Sequence, residues 1–352
     1  MAGFTPSDDI YRRRVRISVS LESGANMATH FDTALRTQLE SRREKLRDAV
    51  VAFPDRSYLT SLLQEVDAAL SRMEDGSFGL CEECHEPIEL DRLAADPLVR
   101  LCLDHLTAPQ QRALEQDLEL AGRIQSALLP RNDLVFRGWR AIFHYEPAGL
   151  VSGDYCDLIP AEDGSLFFML GDVSGKGVAA SMLMAHLHAM IRALTGIGLP
   201  LVQMVERASR LFCESTLAAQ YATLVCGRAD TSGNIELCNA GHLPPLLAQK
   251  AAVRPIHSTG LPLGLFCSEE FSVEKVRLNT GDRLVLFTDG LSESQNPQGE
   301  EFGVDPLIEM LKTPHLLSAD ELVRSCVSQA SDFRSGNPAR DDLTLMVIER
   351  IE

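Results

Sequence analysis

Up to Pro130 the apolar residues of this chain fall at helical spacing, and beyond it they gather into short β-like runs. That change of texture restricts the fold more than any other feature. Phe31, Leu35, Leu39, Leu46 and Val50 lie near one face of a helix over 31–50. Leu59, Leu62, Leu63, Val66, Leu70 and Met73 do the same over 58–73. Phe53-Pro54-Asp55 separates the two, which predicts an antiparallel helical hairpin. A third helix is expected over 109–129, stopping before Pro130. After it come β-like runs at 141–145, 166–170, 221–226, 235–238, 271–278, 284–287 and 343–348. Helical stretches at about 178–195, 200–217, 304–312 and 319–333 lie between them. Strands in groups, with helices inserted in groups, predict an α+β fold rather than alternating βαβ units. The expected division is a weakly ordered N-terminus over 1–30, a helical module over 31–108, a linker helix over 109–130 and a large domain over 131–352.

Charge narrows the partners. With 33 Lys and Arg against 50 Asp and Glu, the net charge is −17, which argues against broad nucleic-acid binding and against an anionic membrane surface. The run Arg12-Arg13-Arg14 is a local exception, read as a solvated terminal patch. Residues 1–30 lack the apolar centre of a secretory signal. The most apolar stretch, about 179–205, contains His186, His188 and Arg192 and is interrupted by Pro200, which suits a buried helix better than a membrane span. Nine cysteines, an odd count with no disulfide framework, fit a reducing cytoplasm.

Three of those cysteines form a pattern. Cys81-x2-Cys84, 17 intervening residues, then Cys102-x2-His105 is the spacing of a structural zinc site, with each close pair supplying half of a tetrahedron. His85 is a spare candidate ranked below His105. Such a metal should hold its small module together. The segment resembles the zinc finger of the DksA/TraR family in Gly76-Ser77-Phe78-Gly79-Leu80-Cys81-Glu82-Glu83-Cys84, Glu86-Pro87-Ile88, Arg92-Leu93 and Cys102. The helical hairpin fits that family too, and the resemblance covers about 31–108. Two departures stand out. His105 replaces the usual fourth cysteine, and the hairpin turn, Ala52-Phe53-Pro54-Asp55-Arg56, lacks the family's acidic pair. The module therefore reads as a borrowed fold used for sensing, docking or dimerisation.

Four aspartates carry the chemistry. Asp154 follows Ser152-Gly153, Asp172 follows Leu166 to Gly171, Asp289 follows Leu284 to Thr288, and Asp341-Asp342 precedes Leu343-Thr344. Carboxylates at strand ends beside small residues suit hard divalent cations, and two such ions activate water and polarise a phosphoryl group. Gly171-x3-Gly175-Lys176-Gly177 lacks the spacing of a P-loop, and no Gly-x-Ser-x-Gly elbow is present. His242, in a Gly/Pro-rich turn, is either a structural residue or an acid/base.

In order along the chain stand Glu119-Leu120-Ala121 with Ile124-Gln125 and Leu128-Leu129-Pro130, then Ser152-Gly153-Asp154-Tyr155 and Gly171-Asp172-Val173-Ser174-Gly175-Lys176-Gly177. Asn239-Ala240-Gly241-His242, Leu263-Gly264, Thr288-Asp289-Gly290-Leu291 and Arg340-Asp341-Asp342-Leu343-Thr344 follow. From about 118 to 352 the chain thus resembles the SpoIIE/RsbU branch of the PPM (PP2C-like) serine/threonine phosphatases. The resemblance implies a β-sandwich flanked by helices (α-β-β-α) with two Mn²⁺ or Mg²⁺ ions at one end. It implies that Asp172 bridges both ions. Asp154 and the Val173 carbonyl would complete one site, Asp289 and Asp341 the other, with Asp342 supporting from behind. A metal-bridging hydroxide would then attack a phosphoserine or phosphothreonine. The implied substrate is a phosphorylated regulator, such as a STAS-type anti-sigma-factor antagonist, and the implied control passes through the zinc module and the linker helix. Leu114, Leu118, Ala121, Gln125 and Leu128, at 4-3-4-3 spacing, permit either a homodimer seam or packing on the helix's own domain. A modulator of RNA polymerase and an inactive scaffold are the alternatives.

Overall fold

The computed structural model describes residues 21–52, 56–88, 92–93, 96–106, 108–217, 220–250, 252–312 and 317–352. The hairpin turn at 53–55 and the basic run at 12–14 lie outside them. The chain divides into two compact units, Met1–Arg112 and Ala113–Glu352.

In the first unit, α1 (Leu21–Ala52) and α2 (Ser57–Asp75) pair through Leu39, Val66, Ala69 and Leu70, all buried. Helix α1 begins ten residues before the span expected from the sequence, so residues 21–30 are helical. The pattern concealed this because Leu-Glu-Ser-Gly-Ala-Asn offers a single large apolar residue and a glycine. Helix α2 stops at Gly76, whose φ of +80° gives the left-handed cap. The zinc-type segment then folds around its own small core of Cys81, Ile88, Leu93 and Cys102. A helix α3 (Ala108–Leu128) follows, and its residues from Ala113 onward belong to the second unit.

The second unit is a sandwich of two antiparallel sheets. Strands β1 (Asp133–Phe136), β2 (Trp139–Glu146), β11 (Leu343–Arg350), β10 (Arg283–Phe287), β7 (Leu246–Gln249) and β8 (Ala252–Pro255) form one sheet in that order. Strands β3 (Asp154–Pro160), β4 (Leu166–Val173), β5 (Ala222–Ala229), β6 (Asn234–Ala240) and β9 (Glu274–Arg277) form the other. Their facing sides enclose Trp139, Phe168, Leu170, Val225, Leu237, Leu286 and Met346. Helices α4 (Gly177–Thr195) and α5 (Leu201–Ser215) cover the outer face of the five-stranded sheet through Met184, Leu187, Ile191, Met204 and Phe212. The short α6 (Asp289–Ser292) follows β10, and α7 (Asp305–Leu311) and α8 (Ala319–Arg334) cover the outer face of the six-stranded sheet. The layers therefore run α-β-β-α. The 19-residue α4 is long and apolar enough to cross a membrane, and here it packs that apolar face on β3 and β4.

Three features fix the layers. Asp157, fully buried on β3, receives Nε and Nη2 of Arg192 from α4 at 2.8 and 2.7 Å, so a forked ion pair ties helix to sheet. Ser318 caps α8, accepting from Glu321 N at 3.3 Å while the Glu321 carboxylate takes the Ser318 N–H at 2.8 Å. Cys213, in α5, is bonded to Cys267, 54 residues on. This pairing departs from the reading of the cysteines as a set without disulfides. The fold brings the two Cα atoms to 5.4 Å, and nothing in the local sequence announces it.

Candidate active site and zinc-type cluster

The four aspartates are delivered to one end of the sandwich, two from each sheet. Asp154 opens β3 and stands in register opposite Asp172 near the end of β4. Asp289 follows β10, and Asp341-Asp342 leads into β11, the neighbour of β10 in the other sheet. Strand ends hold them there, because β10 and β11 pair up to Phe287 and Leu345, and Thr288 N donates to Thr344 O at 3.0 Å. Gly290 is required at this junction: a Cβ would collide with the Asp342 carbonyl.

Oδ2 of Asp154 accepts hydrogen bonds from the hydroxyls of Thr288 at 2.9 Å and Thr344 at 2.5 Å, so one carboxylate oxygen spans the two sheets. Asp342 spends its carboxylate on the backbone, with Ala148 N at 2.7 Å on Oδ1 and Gly153 N at 2.8 Å on Oδ2. It thus holds the loop that presents Asp154. The same loop is gripped from α3. Gln125 donates its amide nitrogen to Ser152 O at 2.6 Å and accepts Ser152 N–H at 2.9 Å. Gln125, placed by its spacing in the seam of the third helix, is therefore spent within the second unit, while Leu120 and Ile124 stay exposed. The Val173 carbonyl lies against Gly153.

The electrostatics describe a site short of positive charge. Burial pushes the Asp154 carboxyl well up, Thr344 opposes this, and Asp172 and Asp342 add to it. Burial, then Asp289, Asp341 and Asp342, push Asp172 from 3.8 to about 7, opposed by Lys176. Asp289 is raised by burial and by Asp341. Clustered buried carboxylates whose charges raise one another's pKa values are the donor set that hard divalent cations relieve, so the residues present fit Mg²⁺ or Mn²⁺. The carboxylates are not drawn tightly together. Among the described residues, only the cysteine group has three or more such donors close enough to hold an ion as it stands. Lys176 Nζ lies 2.6 Å from Asp341 Oδ2.

His242 is structural. Its ring contacts Thr223 Oγ1 at 2.8 Å through Nδ1 and Phe287 O at 3.2 Å through Nε2, and burial lowers its pKa from 6.5 to about 4. A neutral imidazole with both nitrogens engaged has no proton chemistry to offer at neutral pH.

In the first unit, donor atoms of Cys81, Cys84, Cys102 and His105 all lie within 4.8 Å of one another. Cys84 Sγ is 3.8 Å from Cys102 Sγ, which is 3.1 Å from His105 Nδ1. Burial pushes the Cys81 thiol up, but N–H groups of Cys102, Cys84 and Glu83 outweigh it and bring it down to about 6. A thiol poised to ionise, two more thiols and an imidazole form a set that fits Zn²⁺. His85, with a φ of +61°, stays outside this group.

Thr288, Thr344, Lys176 and Gln125 have roles that no single-position signal gave. All four stood inside the ordered motifs, and their partners are far away in sequence.

Comparison with known proteins gives two matches in line with this division. The family described as Stage II sporulation protein E (SpoIIE) matches residues 162–351, more than half of the chain. The prokaryotic dksA/traR C4-type zinc finger matches residues 76–104, ending one residue before His105. Protein IcfG of Synechocystis sp. is 27% identical over 263 residues, 66% of this chain and 41% of its own length. The chain thus spans less than half of that relative. The phosphoserine phosphatase RsbU of Bacillus subtilis is 26% identical over 251 residues, 68% of this chain and 72% of that one. The solved SiaA-PP2C domain of Pseudomonas aeruginosa shares the fold, with a TM-score of 0.61 at 18% identity over 70% of this chain and 100% of that one. With a PP2C-like sandwich, four aspartates at one end of it and a family match over more than half its length, this chain belongs to the SpoIIE family and carries a dksA/traR-type zinc finger in its N-terminal unit.

Proposed function

We propose that this protein is a metal-dependent protein serine/threonine phosphatase acting on a phosphorylated regulatory protein, of which a STAS-type antagonist is the candidate. The observation that carries the reading is the meeting of Asp154, Asp172, Asp289 and Asp341 at one end of the sandwich, two from each sheet. In this reading Asp154, Asp172, Asp289 and Asp341, with the Val173 carbonyl, would hold two divalent ions, and those ions would supply Lewis acidity to a phosphoryl group and to the attacking water. Asp342 keeps the 148–153 loop in place through its two backbone hydrogen bonds. Thr288 and Thr344 fix the orientation of Asp154, the kind of outer support that sets metal affinity. Cys81, Cys84, Cys102 and His105 would hold one structural zinc, which would keep the N-terminal module folded.

Hydrolysis of a phosphoserine peptide and of p-nitrophenyl phosphate tests this, with and without Mn²⁺, for the wild type and Asp172→Asn. The expected outcome is manganese-dependent turnover reduced at least about a hundredfold in the variant, the loss of a bridging ligand and of the charge stabilisation it organises. Turnover unchanged in Asp172→Asn would sink the assignment.

A further inference from the structure

Four carboxylates repel a phosphate dianion unless cations face it. The protein's own cations stand on one lip of the site. Lys176, in the loop joining β4 to α4, places Nζ 2.6 Å from Asp341 Oδ2 and 3.0 Å from the Arg340 carbonyl. Arg340 donates from Nη1 to the neutral Gln295 Oε1 at 2.6 Å, and among the described residues no carboxylate is paired with it. Both line a cavity of about 200 Å³ together with Gln295, Asn337 and Asp341. Arg334 lines it too, but Glu146 holds its Nη2 at 3.1 Å.

Fold stability does not explain where Lys176 stands. Its side chain is 68% exposed, and a single ion pair so exposed contributes little. The backbone around it is specialised, with Gly175 at φ +101° and Gly177 at φ +68° turning the chain so that Lys176 stands at the start of α4 beside Asp341. Arg340 has a fork of donors and, among the described residues, no carboxylate paired with it, although it directly precedes a site aspartate.

We propose that Lys176 and Arg340 are the pair that receives the phosphoryl oxygens of the substrate. Lys176 turns its ammonium from Asp341 to the phosphate, and Arg340, on the same lip, adds its forked donors. The ligand class is a phosphate monoester dianion on a flexible side chain. A space of about 200 Å³ takes a phosphorylated side chain and leaves the body of the substrate protein outside. This inference rests on the phosphatase reading and assigns the substrate-binding cations it lacks.

The test uses the full chain with Mn²⁺. Three quantities are measured for the wild type, Lys176→Gln, Lys176→Arg and Arg340→Gln: inorganic phosphate affinity by calorimetry, Mn²⁺ affinity by titration, and KM and kcat on a phosphoserine peptide. Lys176→Gln and Arg340→Gln should each weaken phosphate binding and raise KM by about tenfold or more, the size of a lost charge-assisted hydrogen bond. Mn²⁺ affinity should not fall, and Lys176→Arg should recover most of the loss. Unchanged phosphate affinity in both Gln variants overturns the proposal. So does tighter Mn²⁺ binding in Lys176→Gln with phosphate affinity unaltered, which would make Lys176 a mere counter-ion. A wild type that binds phosphate through Lys176 without turning over peptide supports the cation pair and counts against the phosphatase reading instead.

Discussion

Oδ2 of Asp154 shows how much a single atom can be asked to do. It is buried, takes two hydroxyl donors from the opposite sheet, and faces Asp172 across a strand pair. His242 does comparable work from behind, joining Thr223 on β5 to the Phe287 carbonyl at the end of β10. Its burial has a measurable consequence. An unfolded histidine takes up a proton near 6.5, whereas this one does so only near 4. Protonation therefore favours unfolding. The contribution of the neutral ring is intact above pH 6.5 and shrinks as pH falls toward 4, by on the order of 3 kcal/mol. Asp172, raised to about 7 in the metal-free protein, acts in the opposite sense as pH falls. Urea melts of the wild type and His242→Gln between pH 7 and 4 separate the two effects. The variant should lose the acid-side decline, and an identical decline in both proteins would exonerate His242.

At the scale of elements, the longer helices and most strands, β9 and β10 among them, were plain in the sequence, and β1, β3, β7 and β8 were not. Strands β1, β7 and β8 have four residues each, too few for a periodicity to stand out. Strand β3 was hidden for another reason. Its text, Asp-Tyr-Cys-Asp-Leu-Ile-Pro, places a carboxylate in mid-strand, and the residue that makes Asp157 tolerable there is Arg192, 35 positions later. Removing that partner leaves a fully buried carboxylate with the Leu158 N–H and with His188 Nε2 at 3.7 Å, but without its forked cation. Arg192→Met should cost about 3 kcal/mol in urea unfolding, and the double variant Asp157→Leu/Arg192→Met should regain much of it, because replacing both charges removes the desolvation problem. A single variant within 1 kcal/mol of wild type, on the usual scatter of surface substitutions, would mean that the pair is not what fastens α4. The site divides the same way. The aspartates were legible because each closes or opens an apolar run. Thr288 and Thr344 were not, since their acceptor lies 134 and 190 residues away.

At the scale of the molecule, each of the two units has a hydrophobic core of its own. Among the described residues the clustered core of the first is small: four buried residues between the helices and another four around the cysteines. A unit of that size needs a staple. Stripping zinc with a chelator from the full chain should abolish amide-exchange protection across residues 35–106 and leave β2, β10 and β11 protected. Protection lost equally in β10 and β11 would mean that the units do not stand alone. The disulfide belongs to this scale as well. Cys213 and Cys267 meet because α5 and the segment before β9 are folded side by side, so no spacing rule could have paired them.

The even split of the aspartates between two sheets carries a mechanical meaning. Neighbouring strands are held by their ladders, whereas the two sheets meet through packed side chains and through the hydrogen bonds of Asp154 and Asp342. The quartet is a vernier laid across that interface, two marks on each scale. A sub-ångström shear of the sandwich would leave every strand intact and still put the marks out of line.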